Sequence, residues 1–334
     1  MTFPRILCLG EILIDLLADE LGDRPVEGYS WTAYPGGAPA NVASALVKLG
    51  TSAGFMGCVG QDQPGDALVA LLQDIGVDDM GIQRHTTAPT RQVYITRSEA
   101  GDRQFAGFGD RDPAEFADAY LQADSLPVEL FDAAEFLVLG TLALAYADSR
   151  DAIACALDLA EQHNLKVVVD INWRPTFWPD VTAARPLIQD LLQRIDFLKL
   201  SEEEALWFFE TTEPSQIVAC LDSLEGAIVT AGERGCAYCL NDLEGRLPAF
   251  PVAVEDTTGA GDSFLAGFLH QLCQQGIATL TDPERTRSMV RYATAVGSLT
   301  TTRPGAIAAQ PTAAEIEAFL YLNAVRDQRL AVSD

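Results

Sequence analysis

Asp256-Thr257-Thr258-Gly259-Ala260-Gly261-Asp262 runs directly into a helical pattern, Ser263–Gln274. Small residues ahead of a helix let backbone N–H groups come close to an anion, and the helix N-terminus adds partial positive charge. A carboxylate at Asp262 is then placed to accept the proton of an attacking hydroxyl. Positioning, anion stabilisation and a base for the nucleophile are what phosphoryl transfer asks of a protein. An ordinary glycine turn, with Asp262 as a first-turn helix stabiliser, explains a bare Gly-x-Gly equally well. It does not call for all seven residues.

Outward from this string, short apolar runs alternate with amphipathic helical patterns. Strands are expected at Arg5–Leu9, Gly54–Val59, Phe136–Gly140, Lys166–Asp170, Phe197–Leu200 and Ala227–Thr230. Helices are expected at Pro39–Leu49 and Gly65–Ile75, each followed by a glycine stop, then at Ser149–His163, Thr182–Gln193 and Glu202–Phe209. The C-terminal part reads as helical at Pro283–Leu299 and Ala313–Ala324. This alternation predicts an α/β fold, a mostly parallel sheet with helices on both faces, with ligands at the carboxyl ends of the strands.

Asp19–Tyr34 and Arg91–Phe108 break the alternation. Gln92-Val93-Tyr94-Ile95-Thr96 has strand-like propensity, so the two stretches are expected to pair as a small accessory sheet rather than run as irregular loops. No repeat, low-complexity tract or linker divides the chain. One domain over residues 1–330 is expected, with lid segments at about 16–35 and 88–110 inserted in it.

The 334 residues are 48% hydrophobic and 21% charged, as in a globular protein able to bury a core without staples. The formal net charge of -26 repels nucleic acid and anionic membranes. An anionic nucleotide would need local positive charge, backbone donors and a divalent cation. Of seven cysteines, only Cys236 and Cys239 form a C-x-x-C, without a second pair or nearby histidine to complete a zinc site. Reduced thiols in a cytoplasmic protein are the expectation. Met1–Leu17 is interrupted by Arg5, Glu11 and Asp15, unlike a secretory signal. The apolar run Phe136–Ala147 is too short to span a bilayer.

The string Asp256–Asp262 resembles the C-terminal signature of the ribokinase (PfkB) family of sugar kinases. Gly36-Gly37-Ala38-Pro39-Ala40-Asn41-Val42-Ala43, followed by Leu49-Gly50, resembles the family's N-terminal signature. Its Ala38-Pro39-Ala40-Asn41 version is closest to fructokinases. The resemblance covers nearly the whole chain and implies a ribokinase-like three-layer αβα sandwich with a small β lid. It implies ATP and Mg²⁺ as cofactors, with K⁺ as a further candidate.

The resemblance also distributes roles. Asp15, in a stretch similar to the fructokinase first strand, and Gly36, Gly37 and Asn41 would hold the sugar, with Arg103 and Phe105 as lid contacts. Asp262 would be the base, with Gly259, Ala260, Gly261 and Arg174 stabilising charge; Arg174 belongs to an Asp170-Ile171-Asn172-Trp173-Arg174 segment similar to the family's D-x-N-x-R. Thr230, Gly232, Gly235 and Thr294 would meet the nucleotide. Glu204 would organise Mg²⁺ through water, although Ser201 with Glu204 also fits a helix capping box. Asp256, Thr258, Thr300, Arg303 and Gly305 would frame a potassium site.

The reaction implied is transfer of the ATP γ-phosphoryl group to a sugar's primary hydroxyl, D-fructose to fructose 6-phosphate. Kinases of 2-keto-3-deoxygluconate, ribose or a nucleoside are rivals within the class. A non-catalytic sugar or nucleotide sensor has no need of Asp262, and a scaffold leaves the paired motifs unexplained. The expected partners are sugar and ATP, with no nucleic acid or membrane, and a homodimer through the lid is a candidate assembly.

Overall fold

The computed structural model describes residues 3–22, 28–99 and 103–332. In chain order, the first half contains β1 (Ile6–Leu9), β2 (Leu13–Ala18), β3 (Trp31–Gly36), α1 (Ala38–Lys48), β4 (Ala53–Gly60), α2 (Gln63–Ile75) and β5 (Asp78–His85). Next come β6 (Gln92–Arg97), β7 (Arg103–Gly107), β8 (Phe136–Gly140), α3 (Ala147–His163), β9 (Lys166–Asp170), α4 (Val181–Leu192), β10 (Phe197–Ser201) and α5 (Glu202–Phe209). The chain continues through α6 (Pro214–Ala219), β11 (Gly226–Thr230), β12 (Cys236–Leu240), β13 (Leu243–Leu247), α7 (Ala260–Gln275), α8 (Pro283–Thr300) and α9 (Ala313–Val332).

Among the described residues, the large sheet has the order β13-β12-β11-β10-β9-β8-β1-β4-β5. All its pairings are parallel except β11–β12 and β12–β13. The run of apolar residues in β1, β4, β8 and β9 reflects burial on both faces. One face packs Ile153, Ile188 and Phe208 from α3, α4 and α5. The other packs Leu46, Leu72, Phe264, Phe268 and Val290 from α1, α2, α7 and α8. The result is three layers.

The helices start where the sequence supplies acceptors. Asp62 caps α2 by accepting from the Gly65 N–H, and Asp282 caps α8 by accepting from Glu284 and Arg285. Gly76 ends α2 in the left-handed conformation. None of the described helices is long and apolar enough to cross a membrane. All seven cysteines are free thiols.

The accessory sheet forms as expected, in the order β3-β2-β6-β7. Its boundaries differ from the expected segments. β1 stops at Leu9, Gly10 turns the chain, and a new strand starts at Leu13. Asp15 therefore sits inside the lid strand β2, opposite Tyr34 of β3, rather than at the end of the first core strand. A small apolar cluster of Leu13, Val93, Phe108, Phe116, Leu142 and Phe177 seats the lid on the main body.

Beneath that cluster, the fully buried Arg91 guanidinium makes two hydrogen bonds to Asp118, at 2.7 and 2.9 Å. Phe108, Phe116, Tyr146 and Phe177 surround it with ring centroids at 4.7 to 5.4 Å. The Arg91 carbonyl accepts from Ile14 N–H at 3.0 Å, tying β2 to the same anchor. Removing one member of a buried pair strands the other charge and costs about 3–5 kcal/mol. Asp118→Ala should lower stability by about that amount in chemical denaturation, and Arg91→Met with Asp118→Leu should recover more than half of it. A single substitution costing under about 1 kcal/mol would contradict the anchor role.

Candidate functional site

The site forms at the carboxyl edge of the large sheet, where β1, β9, β10 and β11 release their chains. Gly259 adopts φ +73 and caps α7 without any side-chain acceptor, so Ala260, Gly261 and Asp262 lie within the first helical turn. The sequence reading started this helix three residues later, at Ser263. The amide N–H groups at this end are therefore helix donors, oriented along the axis.

Asp262 is reached from the other signature. Asn41, near the start of α1, donates from Nδ2 to Asp262 Oδ2 at 2.7 Å. Its Oδ1 is buried without a hydrogen-bond partner among the described residues. Gly37 makes the turn into α1 with φ +104, and a Cβ there would stand 2.4 Å from the Glu11 carbonyl oxygen. Beside it, a Cβ on Gly36 would stand 2.8 Å from Asp15 Oδ2. Asp15, Gly36, Gly37, Asn41 and Asp262 thus share one neighbourhood.

Sequence reasoning missed Lys199. It lies in the middle of β10, is buried, and donates to Asp170 Oδ2 at 2.8 Å. A Cβ on Gly261 would stand 2.8 Å from Lys199 Nζ, so the ammonium lies directly against the first turn of α7. Burial pulls the Lys199 pKa down, but Asp170, Glu204 and Asp262 outweigh burial and raise it. Burial pushes Asp170 up to about 6, with Lys199 opposing. Burial likewise raises Asp262 above the ordinary carboxylate range, against the pull of Lys199, Asn41 and Arg174.

Glu204 closes the capping box: Ser201 Oγ accepts from Glu204 N–H at 3.2 Å, and Glu204 Oε2 accepts from Ser201 N–H at 2.7 Å. Its Oε1 accepts from Trp173 N–H at 2.6 Å, which holds the Asp170–Arg174 segment against β10. Arg174 itself donates to the Trp173 carbonyl at 2.9 Å and remains exposed. Trp173 stacks on Trp207 with centroids 4.4 Å apart.

In the third group, Asp256 Oδ1 accepts from the Thr258 N–H and hydroxyl, and Oδ2 accepts from Gly305 N–H at 2.8 Å. Thr300 lies at the end of α8 and donates back to Val296, while Arg303 pairs with Glu315 of α9. Thr294 is buried, with its hydroxyl donating to the Val290 carbonyl. Thr230 ends β11, and Gly232 and Gly235 shape the turn after it with positive φ. In the lid, Phe105 meets Phe108 and Phe177 at 5.1 and 6.2 Å. The side chain of Arg103 lies outside the described residues.

No group of three or more His, Cys, Asp or Glu side chains among the described residues converges as a metal cage. Mg²⁺ takes one or two carboxylates together with substrate phosphates and water. The buried, unpartnered Asp170 Oδ1 and the inward Glu204 carboxylate fit that kind of site.

Glu11 is a second residue whose role the sequence did not reveal. Its Oε1 accepts from Ala38 N–H at 3.0 Å and so supplies the N-terminal acceptor that α1 lacks. Its Oε2 is buried and unpartnered among the described residues. Burial pushes the group up to about 7, against an unfolded value near 4.5. A carboxyl raised on folding contributes stability that is present below its unfolded pKa and lost as pH rises through the folded one. Glu11→Gln keeps the acceptor but removes the ionisation. It should therefore raise the thermal midpoint more at pH 8 than at pH 5; an equal shift at both would contradict this reading.

A family model described as pfkB family carbohydrate kinase matches residues 4–313. Fructokinase-1 of Zea mays is 34% identical over 314 residues, which is 93% of this chain and 96% of that protein. The structure of fructokinase from Xylella fastidiosa with bound ATP aligns with a TM-score of 0.83 at 28% identity, covering 96% of this chain and 98% of that one. Fructokinase from Vibrio cholerae O395, in its fructose-, ADP- and calcium-bound form, aligns with a TM-score of 0.81 at 27% identity, covering 95% and 99%. The large sheet with its two helical layers is the ribokinase-like α/β fold. Motifs, full-length similarity and architecture agree: the chain belongs to the pfkB family of carbohydrate kinases.

Proposed function

We propose that this chain transfers the γ-phosphoryl group of ATP to the primary hydroxyl of D-fructose, giving fructose 6-phosphate and ADP. The observation that carries this reading is the 2.7 Å hydrogen bond from Asn41 to Asp262. It brings a polar, glycine-lined cradle to within one side chain of a half-buried carboxylate at a helix end that has no side-chain cap. The fructokinase names of the similar proteins and structures support fructose as the acceptor.

In this reading Asp15, Gly36, Gly37 and Asn41 bind and orient the sugar, with Phe105 and Arg103 over it. Asp262 accepts the proton of the hydroxyl as its oxygen bonds to phosphorus and the bond from phosphorus to the ADP oxygen breaks. The raised proton affinity of Asp262 makes it a stronger base than an ordinary aspartate. The N–H groups of Gly259, Ala260 and Gly261, with Lys199 and Arg174, stabilise charge on the transferring group. Thr230, Gly232 and Gly235 lie along the nucleotide. Asp170 and Glu204 would hold Mg²⁺ through water, and Mg²⁺ when bound neutralises phosphate charge.

A potassium ion would take carbonyl oxygens of the Asp256 and Gly305 loops, since both Asp256 oxygens are already hydrogen-bonded. Reduced buried thiols suit a cytoplasmic setting. A homodimer through the lid sheet is the assembly we favour.

An ATP-consumption assay across a sugar panel tests the substrate, with fructose expected to give the highest kcat/KM. Asp262→Asn should lower kcat by about 10²–10⁴-fold, the range for loss of a general base, while ATP still binds. A variant that keeps wild-type kcat would remove Asp262 from the chemistry.

A further inference from the structure

The lid and the helix end that receives the phosphoryl group meet through a short segment. Tyr34, in β3, stands across the ladder from Asp15. Its ring covers Gly305 so closely that a Cβ there would lie 2.8 Å from Tyr34 Cδ1. Gly305 N–H donates to Asp256 Oδ2 at 2.8 Å, at the start of the glycine string. The next residue, Ala306, lies against the cap of α7: a Cβ on Gly259 would stand 2.9 Å from Ala306 Cβ. Gly305 and Ala306 are therefore wedged between an aromatic ring of the lid and the turn that presents the amide donors.

The far side of the segment is fixed as well. The Ile307 carbonyl accepts from Lys48 Nζ, and Gln310 Nε2 donates to the Asn41 carbonyl at 2.7 Å. With its downstream end held by α1, the segment has the ring on one side and Gly259 on the other. Close-packed contacts of this kind transmit displacement instead of absorbing it.

We propose that Tyr34 is a positioning residue: its ring holds Gly305–Ala306 against Gly259 and so keeps the α7 amides aligned for phosphoryl transfer while the lid strand is seated over the sugar. This rests on the sugar-kinase reading for what occupies the space under the lid. The contacting atoms are ring carbons, Cδ1, Cε1 and Cγ, so the ring is what matters and its hydroxyl is dispensable. Tyr34 adds no bond to the reacting atoms. Its effect belongs on the rate of transfer and not on sugar affinity, because a displacement of the donors by a fraction of an ångström penalises the transition state.

The test compares Tyr34→Val, which keeps a strand-favouring side chain without the ring's reach, with Tyr34→Phe, which keeps the ring. Steady-state kinetics with fructose and ATP are measured alongside ATP hydrolysis without sugar and the thermal midpoint. Tyr34→Val should lower kcat about 10- to 100-fold with less than about a threefold change in fructose KM. Sugar-independent hydrolysis uses the same donors, so its ratio to phosphorylation should stay within about threefold of wild type, and Tyr34→Phe should restore kcat to within about twofold of wild type. Wild-type kcat in Tyr34→Val, a change confined to KM, or equal loss in both variants would each overturn the proposal. Wild-type turnover of fructose is measured first and bears on the substrate alone. If another sugar is the one turned over, the same comparison is made on it.

Discussion

The hydrogen bond between Asn41 and Asp262 joins the first turns of two helices 221 residues apart in sequence, and the rest of the site is arranged around it. Each helix begins without a side-chain cap of its own, at a glycine with positive φ. α1 borrows its acceptor from Glu11, so its end is satisfied and rigid. α7 has no side-chain acceptor; its Ala260 N–H makes only a 3.3 Å contact to the Thr257 carbonyl, which suits this end to an anionic substrate. In the proposed reaction two helix ends of similar construction would serve as a sugar cradle and an anion receptor, with one shared side-chain contact.

Local charge makes this workable in a protein of formal net charge -26. A cation at a helix N-terminus opposes the helix dipole. Lys199 is held there nonetheless by Asp170 at 2.8 Å and by the nearby carboxylates of Glu204 and Asp262. The arrangement keeps one positive charge buried beside the turn while burial raises the proton affinity of Asp262 next to it. Acceptors on Asp170 and Glu204 face the same region, suited to a divalent ion carried in with phosphates. The acidic surface therefore sets the long-range field, and a few buried groups set the chemistry.

Features encoded by consecutive residues were legible in the sequence. The string Asp256–Asp262, the Gly36–Asn41 turn and the buried strands β8 and β9 were all read from local patterns, because a strand covered on both faces is an unbroken apolar run. The missed strands, β5 and β13, lie at the two edges of the large sheet, where polar residues such as Asp78, Gln83, Glu244 and Arg246 are tolerated and no apolar run survives. Lys199 looked like a lone cation in a strand, since Asp170, Glu204 and Asp262 come to it from separate elements. Asp15 reads as the end of a first strand, because nothing local distinguishes a turn at Gly10 from a continuing strand. The burial of Thr294 against Val290 and Cys236 is a property of packing between α8 and β12, which no local pattern signals.

The account depends on the acceptor hydroxyl and the terminal phosphate meeting at the first turn of α7. A crystal structure of the protein with fructose and a non-hydrolysable ATP analogue measures this directly. The primary hydroxyl oxygen should lie within about 2.6–3.2 Å of an Asp262 oxygen, with the terminal phosphate on the Gly259–Gly261 amides. A ternary complex in which another carboxylate takes that hydroxyl, with Asp262 beyond hydrogen-bond reach, would contradict it.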